Sequence, residues 1–488
     1  MLRGLTRFLG SLVLLVLVAA LIGAAWIALR IARYEQKEDF DSMRSKVTAL
    51  GALSEAAKTP PPDRPNLVVI LFDDLGYGDL GAYRSQAPAT PRLDRLAAQG
   101  AVFENFYSAA PYCTPSRAGL LTGRWPIRTG LTQIVFPTGH PFDRVMRAYG
   151  RPTRLPADEI TLADALHAGG YATMLVGKWH LGNEAPSLPN DFGFDHYFGV
   201  LYSNDMQPLP LWRDRELVEA HPVDQRTLTR RYTDEAVAFI EASRERQFFL
   251  YVAHSFPHEP LHASEAQAGK SPAGTYGDVL ADLDASTGAI VDALERLGLA
   301  KRTLVLVTSD NGPWYEGSAG ALRGRKNEVL EGGMRVPLIA RWPGHIPAGQ
   351  RIEDVAASID LLPTALGLAG LPLPADRIVD GIDLSPVLLK RGAELPERPI
   401  FYYHDRSLYA VRSGRWKAHR RHGYFGGFAG DWSVVPLLPK GPWLFDLRRD
   451  PDESYDISAK RPEELSRLEG VMSRFEADLA ANPRGWKR

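Results

Sequence analysis

The sequence predicts an α/β fold: a large, mainly parallel sheet flanked by helices, followed by a smaller antiparallel α+β domain. Three observations predict it. Apolar runs at 67–72, 172–176, 248–252 and 303–307 are short and continuous rather than alternating, as strands covered on both faces are. Helical patterns lie between them, the arrangement that builds parallel sheets. Beyond residue 395 the texture changes to short strand-like runs separated by Gly and Asp turns.

The first element is apolar. Residues 8–29 carry no charge and lie between Arg7 and Arg30. As a helix they span about 33 Å, enough to cross a bilayer core of about 30 Å. A cleaved signal peptide is the alternative, with Arg3 and Arg7 as its basic end and Gly23-Ala24-Ala25 as the cleavage site. Its apolar region would run only about 7–15 residues, so residues 1–33 are expected to be an uncleaved anchor. Trp26 suits the interface. Arg30 and Arg33 balance Arg3 and Arg7, so charge does not set the orientation. Either way the remainder is expected to be exported, membrane-anchored in the periplasm or outside the cell, or secreted if the segment is cleaved.

Residues 34–65 are mixed in charge, rich in Ala and end in a proline cluster, which reads as a linker with a stiff spacer at its end. The body is expected over 66–395. Its helices are read at 91–98, stopping at Gly100, at 162–167, stopping at Gly169-Gly170, and in the longer stretches 227–246 and 278–297. Residues 396–488 form the smaller domain, with strands at 401–404, 408–411, 416–419 and 443–447. Its closing helix, 462–479, holds Pro462 in the first turn, where a missing N–H costs nothing.

Composition excludes several classes. Of 488 residues 45% are hydrophobic and 24% charged, which is globular rather than disordered. Lys plus Arg is 57 against 58 for Asp plus Glu, so no basic face for nucleic acid is expected. The net charge of −1 neither drives nor prevents assembly, and oligomeric state stays open. Cys113 is the single cysteine, so no intrachain disulfide exists. No Asn-x-Ser/Thr sequon occurs, which points to a bacterial source.

The chemistry follows the strands. Asp73-Asp74 comes after the first, Lys178-Trp179-His180 after the second, His254 to His258 after the third, and Asp310-Asn311-Gly312 after the fourth. Ligands in open α/β sheets bind beyond the carboxyl ends of strands, so these clusters should converge. Asp73, Asp74 and Asp310 together need a cation, and with Asn311 they offer oxygens only, which suits Ca²⁺ or Mg²⁺ rather than zinc. Lys178, Lys326 and Arg117 near that cation, with His180 and His258, describe a site for an oxyanion. Each residue alone has a plainer reading: a turn Asp, a solvated Lys, or a buried Cys acting as a small hydrophobe.

The motifs decide between these readings. Cys113-Thr114-Pro115-Ser116-Arg117, followed by Leu120-Leu121-Thr122-Gly123-Arg124, resembles the signature of the sulfatase family. The resemblance runs from Asn66 to about Ile457. It takes in Asp73 to Asp79, Gly177 to Gly182, Pro257-His258-Glu259-Pro260, Ser309 to Gly312, Gly324-Arg325-Lys326 and Glu331-Gly332-Gly333, in the family's order. Leu201 to Asp205 and Trp416 to His419 are most similar to the arylsulfatase A branch.

The resemblance implies an alkaline-phosphatase-like fold and a sulfuric ester hydrolase. It implies that Cys113 is oxidised to Cα-formylglycine by a formylglycine-generating enzyme. Asp73, Asp74, Asp310 and Asn311 would then bind one Ca²⁺, with residue 113 as a further ligand. Arg117 would steady the hydrated aldehyde, and Lys178 and Lys326 would grip sulfate oxygens. His180 would help deprotonate the nucleophilic hydroxyl, and His258 would act toward the leaving oxygen. Ser203 and His419 would touch substrate. The substrate would be a small sulfate monoester, aryl, carbohydrate or lipid. A formylglycine-dependent phosphonate monoester or phosphodiester hydrolase would use the same site. The loop 130–148 and the segment 424–442, rich in aromatics and Gly, are expected to shape specificity.

Overall fold

The computed structural model describes residues 2–84, 88–420 and 441–487. Ten strands form the main sheet: β1 (Asn66–Phe72), β2 (Ala101–Tyr107), β3 (Ala172–Lys178), β4 (His196–Val200), β5 (Leu211–Arg213), β6 (Glu216–Glu219), β7 (Phe248–Ala253), β8 (Thr303–Ser309), β9 (Leu338–Arg341) and β10 (Gln350–Ala357). Their order is β10-β2-β9-β8-β1-β7-β3-β4-β5-β6. The run β8-β1-β7-β3-β4 is parallel throughout, with β1 registered Val69 to Tyr251 on one side and Val69 to Leu306 on the other. β9 and β5 run against their neighbours.

All seven residues of β1 are buried because both faces are covered. The pleat sends Leu67, Val69 and Leu71 to one core and Val68, Ile70 and Phe72 to the other. Helices Leu228–Ala242 and Gly274–Arg296 cover the second face through Tyr232, Phe239, Val279 and Leu283. Helices Cys113–Thr122, Leu162–Ala168 and Leu361–Ala369 cover the first. The small sheet, β11 (Ile400–His404), β12 (Ser407–Ser413), β13 (Trp416–His419) and β14 (Trp443–Asp446), is antiparallel in sequence order. Helix Pro462–Ala481 packs on it, with Phe475 stacked 3.8 Å from Phe401.

The four expected core strands are β1, β3, β7 and β8. The others hide in the sequence for local reasons. β2 is interrupted by half-buried Glu104 and Asn105, and β10 alternates in burial.

Residues 34–65 depart from the expected spacer. They contain helix Phe40–Ala56, capped by the Asp39 carboxylate accepting from the Ser42 N–H, with Ser42, Lys46, Ala49 and Leu53 buried. Those positions share one helical face, a pattern masked by the Ala-rich composition. Ser42 Oγ donates to Asp158 at 2.7 Å, and Lys46 Nζ reaches Asp164 at 3.3 Å, so the segment is docked on the body. Before it, Leu9–Ala32 (24 residues, mean hydropathy 2.9) is long and apolar enough to cross a membrane.

His254 shows what burial at the strand ends does. Its ring is fully buried, stacked 5.7 Å from Phe72, with Nε2 3.3 Å from Ser286 Oγ. Burial lowers its pKa from 6.5 to about 3. Between those values the unfolded chain takes up a proton that the folded chain refuses, so acidification removes stability. His254→Gln should flatten that limb by about 1.4 kcal/mol per pH unit, read from denaturant midpoints between pH 6 and 4. Equal slopes in the two proteins would refute this.

Candidate active site

The sheet order brings the predicted clusters together. β8, β1, β7 and β3 are consecutive neighbours, and their carboxyl ends carry Asp310-Asn311, Asp73-Asp74, His258 and Lys178-His180. Gly177 just before Lys178 has φ +107°, and a Cβ there would lie 1.9 Å from the Ala253 carbonyl oxygen, so only glycine fits.

Lys178 Nζ lies 2.5 Å from Asp73 and 3.0 Å from Ser203 Oγ. Lys326 Nζ lies 2.8 Å from Asp74. Asn311 Nδ2 donates to Asp74 at 2.7 Å, and the Asp74 N–H donates to Asp310 at 3.2 Å. His258 Nε2 faces Ser203 Oγ at 3.4 Å and Asp74 at 3.7 Å, while its Nδ1 donates to the Glu259 carbonyl. His180 Nε2 donates to the Val135 carbonyl at 3.1 Å, and its Nδ1 is buried without a hydrogen-bond partner.

Cys113 opens helix Cys113–Thr122, with Pro115 in the first turn. Its Sγ lies 3.5 Å from Asp73. One turn on, Arg117 is fully buried, donating through Nε to Asp310 at 2.9 Å and through Nη1 to the Lys178 carbonyl at 2.8 Å. Thr114, unremarked in the sequence, ties the helix to its surroundings. Its Oγ1 donates to the His180 carbonyl and accepts from the Val135 N–H.

Burial raises carboxylates, but Lys178, His258 and Arg117 outweigh it and hold Asp73 well below its ordinary value. Asp310 goes the other way, raised to about 7 by burial and the Asp73 charge beside it. Burial, with Lys326, lowers His258; burial, with Lys178 and Arg117, lowers His180 further. Burial pushes the Cys113 thiol well up, and Lys178 and Lys326 offset this only in part.

The residues present fit a hard cation. Asp73, Cys113 and Asp310 each bring one ligand atom within 4.8 Å of the others, as do Asp74, Cys113 and His258. Asn311 Oδ1 is buried with no hydrogen-bond partner beside them. That unpartnered amide oxygen, on a side chain whose nitrogen already meets Asp74, adds an oxygen donor to a carboxylate set of the kind Ca²⁺ takes.

A family profile described as Sulfatase matches residues 65–371, and a second, described as the C-terminal region of aryl-sulfatase, matches 395–487. The chain belongs to the sulfatase family. The sulfatase is 42% identical to N-acetylgalactosamine-6-sulfatase of Mus musculus over 89% of each chain. It is 38% identical to arylsulfatase A of Bos taurus over 88% of this chain and 92% of that one. Among solved structures, the PsFucS1 sulfatase from Pseudoalteromonas sp. superposes with TM-score 0.76 at 28% identity, covering 92% of this chain and 96% of that one. These identities do not single out the arylsulfatase A branch that the sequence motifs suggested.

Of the sequence-predicted residues, Ser203 joins the sulfatase's site through Lys178 and His258. His419 sits elsewhere, fully buried, with Nε2 2.6 Å from Glu453. Glu453 also accepts from Lys417 at 3.0 Å and from the Glu331 N–H at 2.7 Å. Glu331 is the hub: its carboxylate accepts from Tyr107 (2.6 Å), Arg335 (2.8 Å), Tyr402 (2.9 Å) and Lys417 (3.1 Å). Two residues on, the Gly333 carbonyl accepts from the Gly312 N–H at 3.0 Å, next to Asn311. The motif Glu331-Gly332-Gly333 marked this hub in sequence. Of its partners, Lys417 falls within the Trp416 to His419 motif, whereas Glu453 carries no local signal.

Proposed function

We propose that this sulfatase hydrolyses sulfate monoesters, sugar sulfates first, with a formylglycine made from Cys113 and one Ca²⁺ held by Asp73, Asp74, Asp310, Asn311 and residue 113. The observation that carries this is the position of Cys113 in both ligand groups, with two lysines resting on the same carboxylates. The hydrated aldehyde would supply a hydroxyl nucleophile, and the cation, when bound, would supply Lewis-acid stabilisation of negative charge.

The chain's own residues do the rest. Lys178 and Lys326 present positive charge to the sulfuryl oxygens. Arg117 fixes Asp310. His258, with Nδ1 committed to a carbonyl, leaves Nε2 to carry a proton at the leaving oxygen. His180, with Nε2 committed to Val135, leaves Nδ1 as the base. Ser203 orients Lys178 and His258 toward substrate; His419, buried against Glu453, holds that carboxylate rather than touching substrate. The names of the relatives support a sugar sulfate, N-acetylgalactosamine 6-sulfate in particular, with aryl sulfates as surrogates; the arylsulfatase A affinity of two motifs fits the same group. The loop 130–148 would shape specificity; most of the segment 424–442 given the same role lies outside the described residues.

We take Leu9–Ala32 as a membrane anchor and the body as exported, with a formylglycine-generating enzyme as maturation partner. The test uses full-length protein made with that enzyme. Rates are compared on 4-nitrophenyl sulfate, 4-nitrophenyl phosphate, a phenylphosphonate ester and N-acetylgalactosamine 6-sulfate. Dominant sulfate release supports the reading. Dominant phosphonate cleavage would replace it with the phosphonate hydrolase reading, and inertness toward all four, with the aldehyde found at residue 113, would refute it.

A further inference from the structure

The body has almost no slack on its apolar helix. That helix ends at Ala32, and Tyr34 is already docked: its hydroxyl donates to the Arg151 carbonyl at 2.6 Å, and its ring lies 5.4 Å from the Arg147 guanidinium. Gln36 donates to the Arg154 carbonyl at 2.9 Å and accepts from the Thr153 N–H at 3.0 Å. Glu38 pairs with Arg154 at 2.6 Å. Two residues of chain reach at most about 7 Å. If 9–32 crosses a bilayer, the surface around 147–154 lies at its edge.

What that surface presents is apolar. Helix Pro141–Ala148 lies against the N-terminal helix. Phe142, Val145 and Tyr149 are 52%, 50% and 63% exposed, although the neighbouring helix is in place. Their spacing, i, i+3 and i+7, puts them on one face. Asp143 and Met146 are buried on the side toward the body, with Asp143 bridging to Arg147 at 2.9 Å. Arg144 lies within the same stretch, and the Arg30 guanidinium comes within 3.8 Å of where a Cβ on Gly150 would stand, a basic fringe that matches anionic headgroups. The face is also wired to the site. Phe136 stacks on His140 and packs on Phe142, each at 5.0 Å, and the preceding Val135 holds His180 and Thr114.

We propose that Phe142, Val145 and Tyr149 form a membrane-docking surface, seated in the interfacial layer of the bilayer that the anchor spans, so that the rim of the active site is held at the lipid surface. This rests on the anchor reading above. Three apolar side chains and a basic fringe beside a spanning helix are the composition of an interfacial helix.

The test places full-length protein in vesicles of phosphatidylcholine and phosphatidylglycerol doped with a diazirine-bearing phospholipid. Adducts are mapped by peptide mass after illumination. Adducts are expected on 9–32 and on 142–149. F142S/V145S/Y149S should lose those on 142–149 by at least about tenfold and keep those on 9–32. Adducts on 9–32 alone would overturn the proposal and leave the anchor standing. Absence from 9–32 would remove the anchor and the proposal with it. A detergent-stable dimer that the triple variant abolishes would give the face to a second copy instead. The thermal midpoint in detergent checks the variant's fold, and the wild-type adduct map decides the question even if that variant fails to fold.

Discussion

Cys113→Ala protein is expected to hydrolyse 4-nitrophenyl sulfate at least about 10⁴-fold more slowly than aldehyde-bearing enzyme, because it lacks the nucleophile. The sharper expectation concerns protein that keeps its cysteine but is made without a formylglycine-generating enzyme: it should be as inert as the alanine variant. The thiolate is the reactive form of cysteine. Here burial drives the thiol's pKa well above its ordinary value, and the lysines recover only part of that. Arg117, which would favour a thiolate, directs Nε to Asp310 and Nη1 to the Lys178 carbonyl instead. Cys113 therefore reads as raw material for oxidation rather than as the reagent. Stoichiometric aldehyde, measured by peptide mass, should track activity across preparations. Activity in aldehyde-free protein would overturn this account.

Chelation is expected to cut turnover at least about 10³-fold, with Ca²⁺ restoring it more fully than Mg²⁺. Asp73, Asp74 and Asp310 are each at most 2% exposed, and Lys178, Lys326 and Arg117 rest on them. With a divalent ion held there, the carboxylates would no longer need the two lysines, which would be free for an anionic substrate. Ca²⁺ accepts crowded, irregular oxygen sets, whereas Mg²⁺ demands near-octahedral geometry and keeps its waters. Activity titrated against each cation after chelation reads this directly. Full activity in the chelated protein would refute it.

The site was largely legible in the sequence because each of its parts follows a strand that announces itself. The runs 67–72, 172–176, 248–252 and 303–307 are short and predominantly apolar, and the sheet order makes their strands neighbours. Arg117 was readable because it lies one helical turn after Cys113. The docked segment 34–57 was not, since its contacts, such as Ser42 with Asp158 and Lys46 with Asp164, are long-range and polar. Nor was the place of His419. Position in a strand does not say which buried carboxylate a ring will meet, and here it is Glu453.

The hub at Glu331 bears on how such enzymes can exchange parts. Its partners come from both sides of residue 395: Tyr107 and Arg335 before it, Tyr402, Lys417 and Glu453 after it. A recombination that joins this N-terminal part to a C-terminal part without Lys417 and Glu453 inherits half of a buried ionic lattice. Breaking one such pair costs about 3–5 kcal/mol, a large share of a domain's stability. The strain would fall first on Gly312 and Asn311, through Gly333. The two parts are therefore heritable only as a matched set, and a viable chimera must carry Lys417 and Glu453 along with Glu331.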